Sequence, residues 1–172
     1  MADNGKGRAG GLLLVEHFMT YNPELLHVNS TLADAVLLLR RAEFKHIPVL
    51  DGDRLVGILS DRDVARFAPS ILTPMPGREF NRVLAQTELG RVMAANPHWT
   101  TPTTTLRDAA EVMRLHGVGC LPVMEDERVV GIITVTDMLE ALCSVLGTPT
   151  VPPPQTATKK PAKRARKVAA RG

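Results

Sequence analysis

The side chains with the clearest capacity for chemistry form a hydroxyl–carboxylate pair that occurs twice. Ser60 precedes Asp63 and Thr134 precedes Asp137, each pair three residues apart and directly after an apolar run. An ionised carboxylate only accepts hydrogen bonds, so it suits a ligand that presents neighbouring hydroxyl groups. The same spacing is typical of a helix N-terminus, where the pair caps the helix and free N–H groups attract anions. Helix capping and ligand contact are therefore both open interpretations, and they are compatible.

The two pairs differ in the charge that surrounds them. Arg62 and Arg66 accompany the first pair, whereas Glu140 occupies the position in the second that corresponds to Arg66. Arginine offers several donors to a phosphate or carboxylate. We expect two unequal sites, of which the first is better suited to a polyanion; a merely solvated helix face is the alternative for the arginines.

No recognisable catalytic or metal-binding pattern accompanies these pairs. The sequence has no Gly-x-Ser-x-Gly elbow, no Walker A loop and no His-Glu-x-x-His. The five histidines lack metal-ligand spacing and the two cysteines form no Cys-x-x-Cys pair. We therefore predict a protein that is not an enzyme and holds no metal or resident cofactor. Cys120 is assigned to packing, as is Trp99, for which stacking on a ligand is the alternative.

An internal repeat explains why the pair occurs twice. A shift of 74 residues places residues 19–63 over residues 93–137 without a gap, and 15 of the 45 positions are identical. About 3 identities are expected between unrelated segments of average composition. The chain is therefore predicted to contain two copies of one unit.

Each copy predicts the same order of elements, β-α-β-β-α. In the first copy, apolar residues at 32, 35, 36 and 39 have helical spacing. The apolar runs 47–50 and 55–59 read as strands joined by a hairpin turn, and a second helix begins near Asp63. The predicted fold class is α/β (α+β), with the two repeats packed as a pseudo-twofold pair.

Composition places the boundaries between the parts of the chain. Three prolines within residues 68–77 indicate a loop, and residues 78–86 indicate a short linking helix. Low hydrophobicity predicts disorder at both ends. We expect a disordered N-terminus at 1–11, a first domain at 12–72, a linker with a short helix at 73–88, a second domain at 89–147 and a disordered basic tail at 148–172.

Charge is concentrated in the C-terminal tail. The net charge is +3, yet residues 148–172 hold seven basic residues and no acid, which leaves 14 basic and 18 acidic residues, or −4, elsewhere. Such a tail is interpreted first as a solubilising extension; binding of nucleic acid or an acidic partner through residues 155–172 is the alternative.

The chain carries no sign of membrane insertion or export. No apolar run approaches the length of a membrane span, and the N-terminus lacks the apolar region of a secretory signal. We expect a cytoplasmic protein without membrane contact.

The repeated residues resemble the cystathionine-β-synthase (CBS) domain, and the tandem pair resembles a Bateman module. The likeness covers roughly residues 14–142 and occurs in both copies at one spacing. It rests on His46-Ile47-Pro48-Val49, Gly57-Ile58-Leu59-Ser60 and Asp63, and on Leu121-Pro122-Val123, Gly131-Ile132-Ile133-Thr134 and Asp137.

The resemblance implies a regulatory module that binds an adenosine-containing ligand, such as AMP, ADP, ATP or S-adenosylmethionine, in clefts between the copies and signals to a partner. It implies that the Ser/Thr and Asp side chains contact phosphate and ribose, while residues around x-x-Pro line the adenine pocket. The ligand-binding residues implied for the first site are Lys45, His46, Ile47, Ser60, Arg62, Asp63 and Arg66. Those implied for the second are Gly119, Cys120, Leu121, Thr134, Thr136 and Asp137, and Thr20 and Ala94 lie at pocket edges.

The resemblance further implies a homodimer that pairs through helices of both copies. Leu37 and Leu38 lie off the main apolar stripe of the first helix, which would leave apolar surface to cover. The alternative function is a homodimeric interaction scaffold without ligand, whose basic tail binds nucleic acid or an acidic partner.

Overall fold

The computed structural model describes residues 12–41, 45–67 and 77–147. The disorder predicted for 1–11 and 148–172, and most of the loop predicted at 68–77, concern residues outside these ranges. The described strands are β1 Thr20–Tyr21, β2 Leu26–His27, β3 His46–Asp51, β4 Arg54–Ser60, β5 Ala94–Ala95, β6 Cys120–Glu125 and β7 Arg128–Thr134. The described helices are α1 Leu32–Arg41, α2 Asp61–Phe67, α3 Gly77–Gln86, α4 Leu106–His116 and α5 Val135–Leu146.

Both copies have the predicted β-α-β-β-α order. The first copy runs β2, α1, β3, β4, α2. In the second, Thr100 bridges in parallel to Val123 in place of a full first strand, and α4, β6, β7 and α5 follow. The linking helix is confirmed as α3.

The first helix of each copy begins at a Thr-x-x-Asp box. The Thr31 hydroxyl donates to Asp34 Oδ2 at 2.8 Å, and the Asp34 N–H donates back to that hydroxyl at 3.3 Å. Thr105 and Asp108 repeat the arrangement at 2.7 and 3.1 Å. The hydrogen bonds from the Thr31 backbone and side chain hold the pKa of Asp34 below its usual value.

Each sheet receives a short strand from outside its own copy. β1 pairs antiparallel with β7, with Thr20 opposite Ile132, and β5 pairs antiparallel with β4, with Ala94 opposite Ile58. The sheets are consequently ordered β1-β7-β6 and β2-β3-β4-β5. Because these pairings correspond under the 74-residue shift, the exchange is reciprocal and gives the predicted pseudo-twofold pair.

The core is divided between the copies in the same reciprocal way. Val15 and Met19, from the N-terminal segment, pack into the core of the second copy, and Leu84 of α3 and Leu89, which follows it, pack into that of the first. The other buried residues of the two cores are Leu32, Ala35, Ile47, Val49 and Leu59 in the first copy and Leu106, Ala109, Met113, Leu121, Val123, Ile133 and Ala141 in the second. Each hydrophobic core is therefore completed by the segment that precedes the other copy.

Two expectations about apolar side chains need correction. Leu38 is half-buried against the core of the first copy, because α1 packs on that core over a wider face than its main apolar stripe. Of these two leucines, only Leu37, which is 54% exposed, lies off that core. Trp99 is 56% exposed and so does not pack in the interior. Among the described residues, no helix has the length and apolar character to cross a bilayer.

Candidate ligand-binding cleft

Ser60 and Thr134 each end a strand and cap the helix that follows. The Ser60 hydroxyl donates to Asp63 Oδ2 at 2.6 Å, and the Asp63 N–H donates back to that hydroxyl at 3.2 Å. Thr134 and Asp137 form the same box at 2.8 and 3.4 Å. The helix-cap interpretation is confirmed, and it places each aspartate at the third position of its helix.

Capping occupies only one oxygen of each aspartate. Asp63 Oδ2 receives the Ser60 N–H and hydroxyl, whereas Asp63 Oδ1 lies 3.7 Å from Arg66 Nη1, whose side chain is 80% exposed. Within the described residues, Asp137 Oδ1 has no hydrogen-bond partner. One carboxylate oxygen at each helix start therefore remains to accept from a ligand.

The backbone at these helix starts is less available than the sequence suggests. The Asp61 N–H donates to the Lys45 carbonyl at 3.1 Å, and the Val135 N–H donates to the Gly119 carbonyl at 3.0 Å. Since the Asp63 and Asp137 N–H groups are taken by the caps, two of the first three N–H groups of each helix are already paired. A phosphate here would have to rely on side-chain cations.

Strand register places each box beside other residues predicted for the same site. His46 lies opposite Ser60 in the first sheet, and Cys120 lies opposite Thr134 in the second. The two strand ends face each other, because a Cβ added at Gly119 would lie 3.5 Å from His46 Nε2. Ile58, Ile132 and Cys120 form a buried cluster between the copies. The structure thus brings His46 of the first predicted site close to Gly119 of the second, between the two copies.

The cleft is more polar on the side of the first copy. Burial is the main cause that lowers the pKa of the half-buried His46. Positive charges on Arg62 and Lys45 lower it further, while Asp61 and Asp63 oppose the shift. His46 therefore favours its neutral form in the folded protein.

The second copy places small, inert groups at the corresponding positions. Burial raises the pKa of the Cys120 thiol to about 12, so it stays protonated at neutral pH. Gly119 has no side chain, and Cys120 is only 4% exposed. The packing role expected for Cys120 is confirmed.

The remaining predicted residues lie in three kinds of place. Ile47 and Leu121 are fully buried, so only their backbone atoms can meet a ligand. Strand exchange sets Thr20 beside β7 and Ala94 beside β4, so each pocket edge borders the other copy's helix start. Exposed positions around the cleft are occupied by Lys45, Arg62, Arg66 and Thr136.

Sequence reasoning missed a groove at the opposite ends of the strands. It encloses about 1230 Å³ between the two hairpin turns and shares no residue with the predicted ligand site. The sequence signal for this groove is Trp99, a large apolar residue in a polar stretch. The described residues contain no cluster of three or more potential metal ligands.

Comparison with known proteins agrees with this architecture. The family model described as "CBS domain" matches residues 15–70 and 89–144. A CBS domain-containing protein of Dictyostelium discoideum is 30% identical over 136 residues, which cover 78% of this chain and 94% of that protein. The CBS domain-containing protein YhcV of Bacillus subtilis is 29% identical over 124 residues, 72% of this chain and 81% of that protein.

A solved structure gives the same fold with a bound nucleotide. CBSX2 of Arabidopsis thaliana, in complex with AMP, superposes with a TM-score of 0.63 at 25% sequence identity. The match covers 78% of this chain and 99% of that one.

Proposed function

The chain belongs to the family of CBS-domain proteins, and from that premise we propose that it is a non-enzymatic regulatory module that binds an adenosine-containing ligand between its repeats. The observation that carries the proposal is that each Ser/Thr–Asp box leaves one carboxylate oxygen outside its cap, next to the place where the two copies meet at His46 and Gly119. AMP in the related CBSX2 supports the ligand class.

In this proposal the ribose is held by the carboxylates. Asp63 Oδ1 and Asp137 Oδ1 accept hydrogen bonds from neighbouring ribose hydroxyls, and the caps fix both side chains in place before the ligand arrives. The adenine edge meets backbone groups near Ile47 and Leu121, whose side chains are buried. Pre-ordered carboxylates reduce the entropy that binding costs.

The phosphate is assigned to the first copy. Lys45, Arg62 and Arg66 are exposed there and supply cationic donors. The second copy has Thr136 and Glu140 at the positions of Arg62 and Arg66, so it offers a poorer phosphate site. We therefore expect unequal binding, with the phosphorylated ligand in the Ser60 half of the cleft.

In this proposal, regulation follows from the position of the ligand between the two copies. Ligand that contacts both copies stabilises the packing in which both helix starts face the cleft, and a partner protein reads that packing. In this proposal the module acts in the cytoplasm.

The test is a thermal-denaturation panel of AMP, ADP, ATP and S-adenosylmethionine, with GMP as the matched control. At a ligand excess of about 100 times the dissociation constant, an adenosyl ligand should stabilise the fold by about 2.7 kcal/mol. The proposal is wrong if no adenosyl compound raises the melting temperature at millimolar concentration, or if GMP does so equally.

The second candidate function is a homodimeric scaffold without ligand. The exposed leucines of α5, which are Leu139, Leu142 and Leu146, favour dimerisation under either function. If no compound in the thermal-denaturation panel binds, only the scaffold function accounts for the result. Any affinity for nucleic acid should then be lost on removal of residues 155–172.

A further inference from the structure

A groove at the hairpin end of the molecule is separate from the ligand cleft. It lies between the β3–β4 turn, the β6–β7 turn and residues 96–103, and it encloses about 1230 Å³. Ser60 and Thr134 end the same hairpins at their far ends, so the cleft and the groove lie at opposite ends of the strands.

The segment that borders the groove lacks a side-chain hydrogen bond that its counterpart in the first copy makes. In the first copy, the Gly52 N–H of the hairpin turn donates to His27 Nε2 at 3.1 Å. Thr101 holds the corresponding position in the second copy, and its hydroxyl pairs with Thr104 Oγ1 at 2.8 Å instead. Among the described residues, no side chain equivalent to His27 therefore links residues 96–103 to the β6–β7 turn.

The lining of the groove is acidic. The two turns contribute the exposed carboxylates of Asp51, Asp53, Glu125, Asp126 and Glu127, against the guanidinium groups of Arg54 and Arg128. None of these seven forms an ion pair within the described residues. Unpaired like charges around a concave surface concentrate the potential there. The groove therefore attracts a cationic partner and repels nucleic acid.

Trp99 gives the groove an aromatic surface that suits cationic side chains. Its side chain is 56% exposed and lines the groove together with Pro97 and Pro102. An indole face binds arginine and lysine side chains through cation–π contacts. The groove thus combines carboxylates with an aromatic surface, as suits a Lys/Arg-rich peptide in extended conformation.

We propose that this groove binds the chain's own basic tail, residues 159–171. This segment holds all seven basic residues that follow Gly147 and no acid, so it complements the lining in charge. Eleven residues separate Gly147 from Lys159, and eleven residues can span up to about 36 Å. A compact domain of this size has a radius of gyration of about 14 Å, so the tail reaches the groove of its own chain.

Because the tail belongs to the same chain as the groove, even a weak contact is sufficient to dock it there. A segment tethered by a short linker has an effective concentration in the millimolar range. Electrostatic attraction between the tail and the groove is screened by salt, since the Debye length falls from about 10 Å at 0.1 M to about 3 Å at 1 M. The docked tail should therefore leave the groove as salt is raised, which provides the basis of a test.

The full-length chain carries its own probe, because Trp99 is its single tryptophan. We would measure acrylamide quenching of Trp99 fluorescence in the wild type and in a variant whose seven tail cations are all replaced by Gln. For the wild type, the quenching constant should rise roughly twofold between about 0.1 and 1 M NaCl as the tail is released. The tail variant should be quenched at the higher level at both salt concentrations.

A charge-matched pair of variants locates the docking site. Glu125→Gln, Asp126→Asn and Glu127→Gln together should expose Trp99 as the tail variant does. Glu79→Gln, Glu88→Gln and Glu140→Gln remove the same charge from exposed positions outside the groove and should leave quenching as in the wild type. The proposal is overturned if the tail variant matches the wild type at low salt, or if the two triple variants behave alike. It is also overturned if protection of Trp99 depends on protein concentration, since the occupant would then be the tail of a second copy.

Discussion

The two oxygens of the Asp63 carboxylate have different environments, and this separates its structural role from its proposed binding role. Oδ2 completes the helix cap, while the exposed Arg66 is the only ion-pair partner of Oδ1 among the described residues. Asp63→Asn retains capping, because Asn caps about as well as Asp. It should still weaken AMP binding by about ten- to a hundredfold, since a charge-assisted hydrogen bond contributes roughly 1.5–3 kcal/mol. Isothermal titration calorimetry measures the effect.

Asp34 provides the matched control for that substitution. It belongs to the same kind of box, but β2 runs parallel to β3 toward the hairpin turn, so α1 begins at the end of the sheet away from the cleft. Asp34→Asn should leave AMP affinity unchanged. Equal affinities for Asp63→Asn and the wild type would show that Asp63 is a cap alone.

His46 should make the stability of the fold depend on pH. Burial keeps its folded pKa below 6.5, so as pH falls the unfolded chain takes up the proton first. The free energy of unfolding should then decrease as pH drops below about 6.5 and level off below the folded pKa. Urea denaturation across this range should show that slope reduced in His46→Gln and kept in His17→Gln, which alters an exposed histidine. A slope unchanged in His46→Gln would assign the effect to other groups.

At the scale of the elements, the strand exchange depends on two glycines. A Cβ at Gly131 would lie 3.1 Å from the Thr20 carbonyl oxygen, and one at Gly57 would lie 3.1 Å from the Ala94 carbonyl oxygen. Gly131→Ala should therefore push β1 from β7 and lower the free energy of unfolding by about 1–3 kcal/mol, as crowding of a packed site does. Chemical denaturation measures the loss.

Gly77 offers the control, because a Cβ there meets nothing within 4 Å. Gly77→Ala should be neutral or stabilise α3 by up to about 1 kcal/mol through helix propensity. Equal stability of Gly131→Ala and the wild type would mean that β1 is not held closely against β7.

The repeat was predictable because its signals are local. Cap residues, hairpin turns and apolar runs recur at one spacing, so the elements, their order and the pseudo-twofold pair follow from the sequence. The partner of β1 was not predictable, because Thr20 pairs with Ile132, far along the chain, and a two-residue strand carries no pattern of its own. The groove was missed for a related reason. Only the assembled sheets show that His27 accepts a hydrogen bond from its hairpin turn and that Thr101, at the corresponding position, does not.

At the scale of the whole molecule, α5 presents an apolar face that the described part of the chain does not cover. Val135, Leu139, Leu142 and Leu146 are each at least 45% exposed and share one face at helical spacing. Leu37 on α1 and Phe67 on α2 add exposed apolar surface on other helices. Contiguous exposed apolar surface of this kind marks an interaction site. Since the first copy also contributes, we keep the prediction of a homodimer through helices of both copies.

Light scattering and sedimentation at micromolar concentration should therefore give twice the mass of one chain. Leu139→Glu together with Leu142→Glu should yield monomers, because dimerisation would bury two charges on each chain without partners, at a cost of several kcal/mol per buried ion. Their circular dichroism should remain that of the folded chain, since both side chains are exposed in the monomer. Leu12→Glu, at an exposed position that precedes the first helix, is the control and should stay dimeric. A monomeric wild type at micromolar concentration would contradict the prediction, and a monomeric Leu12→Glu variant would place the interface away from α5.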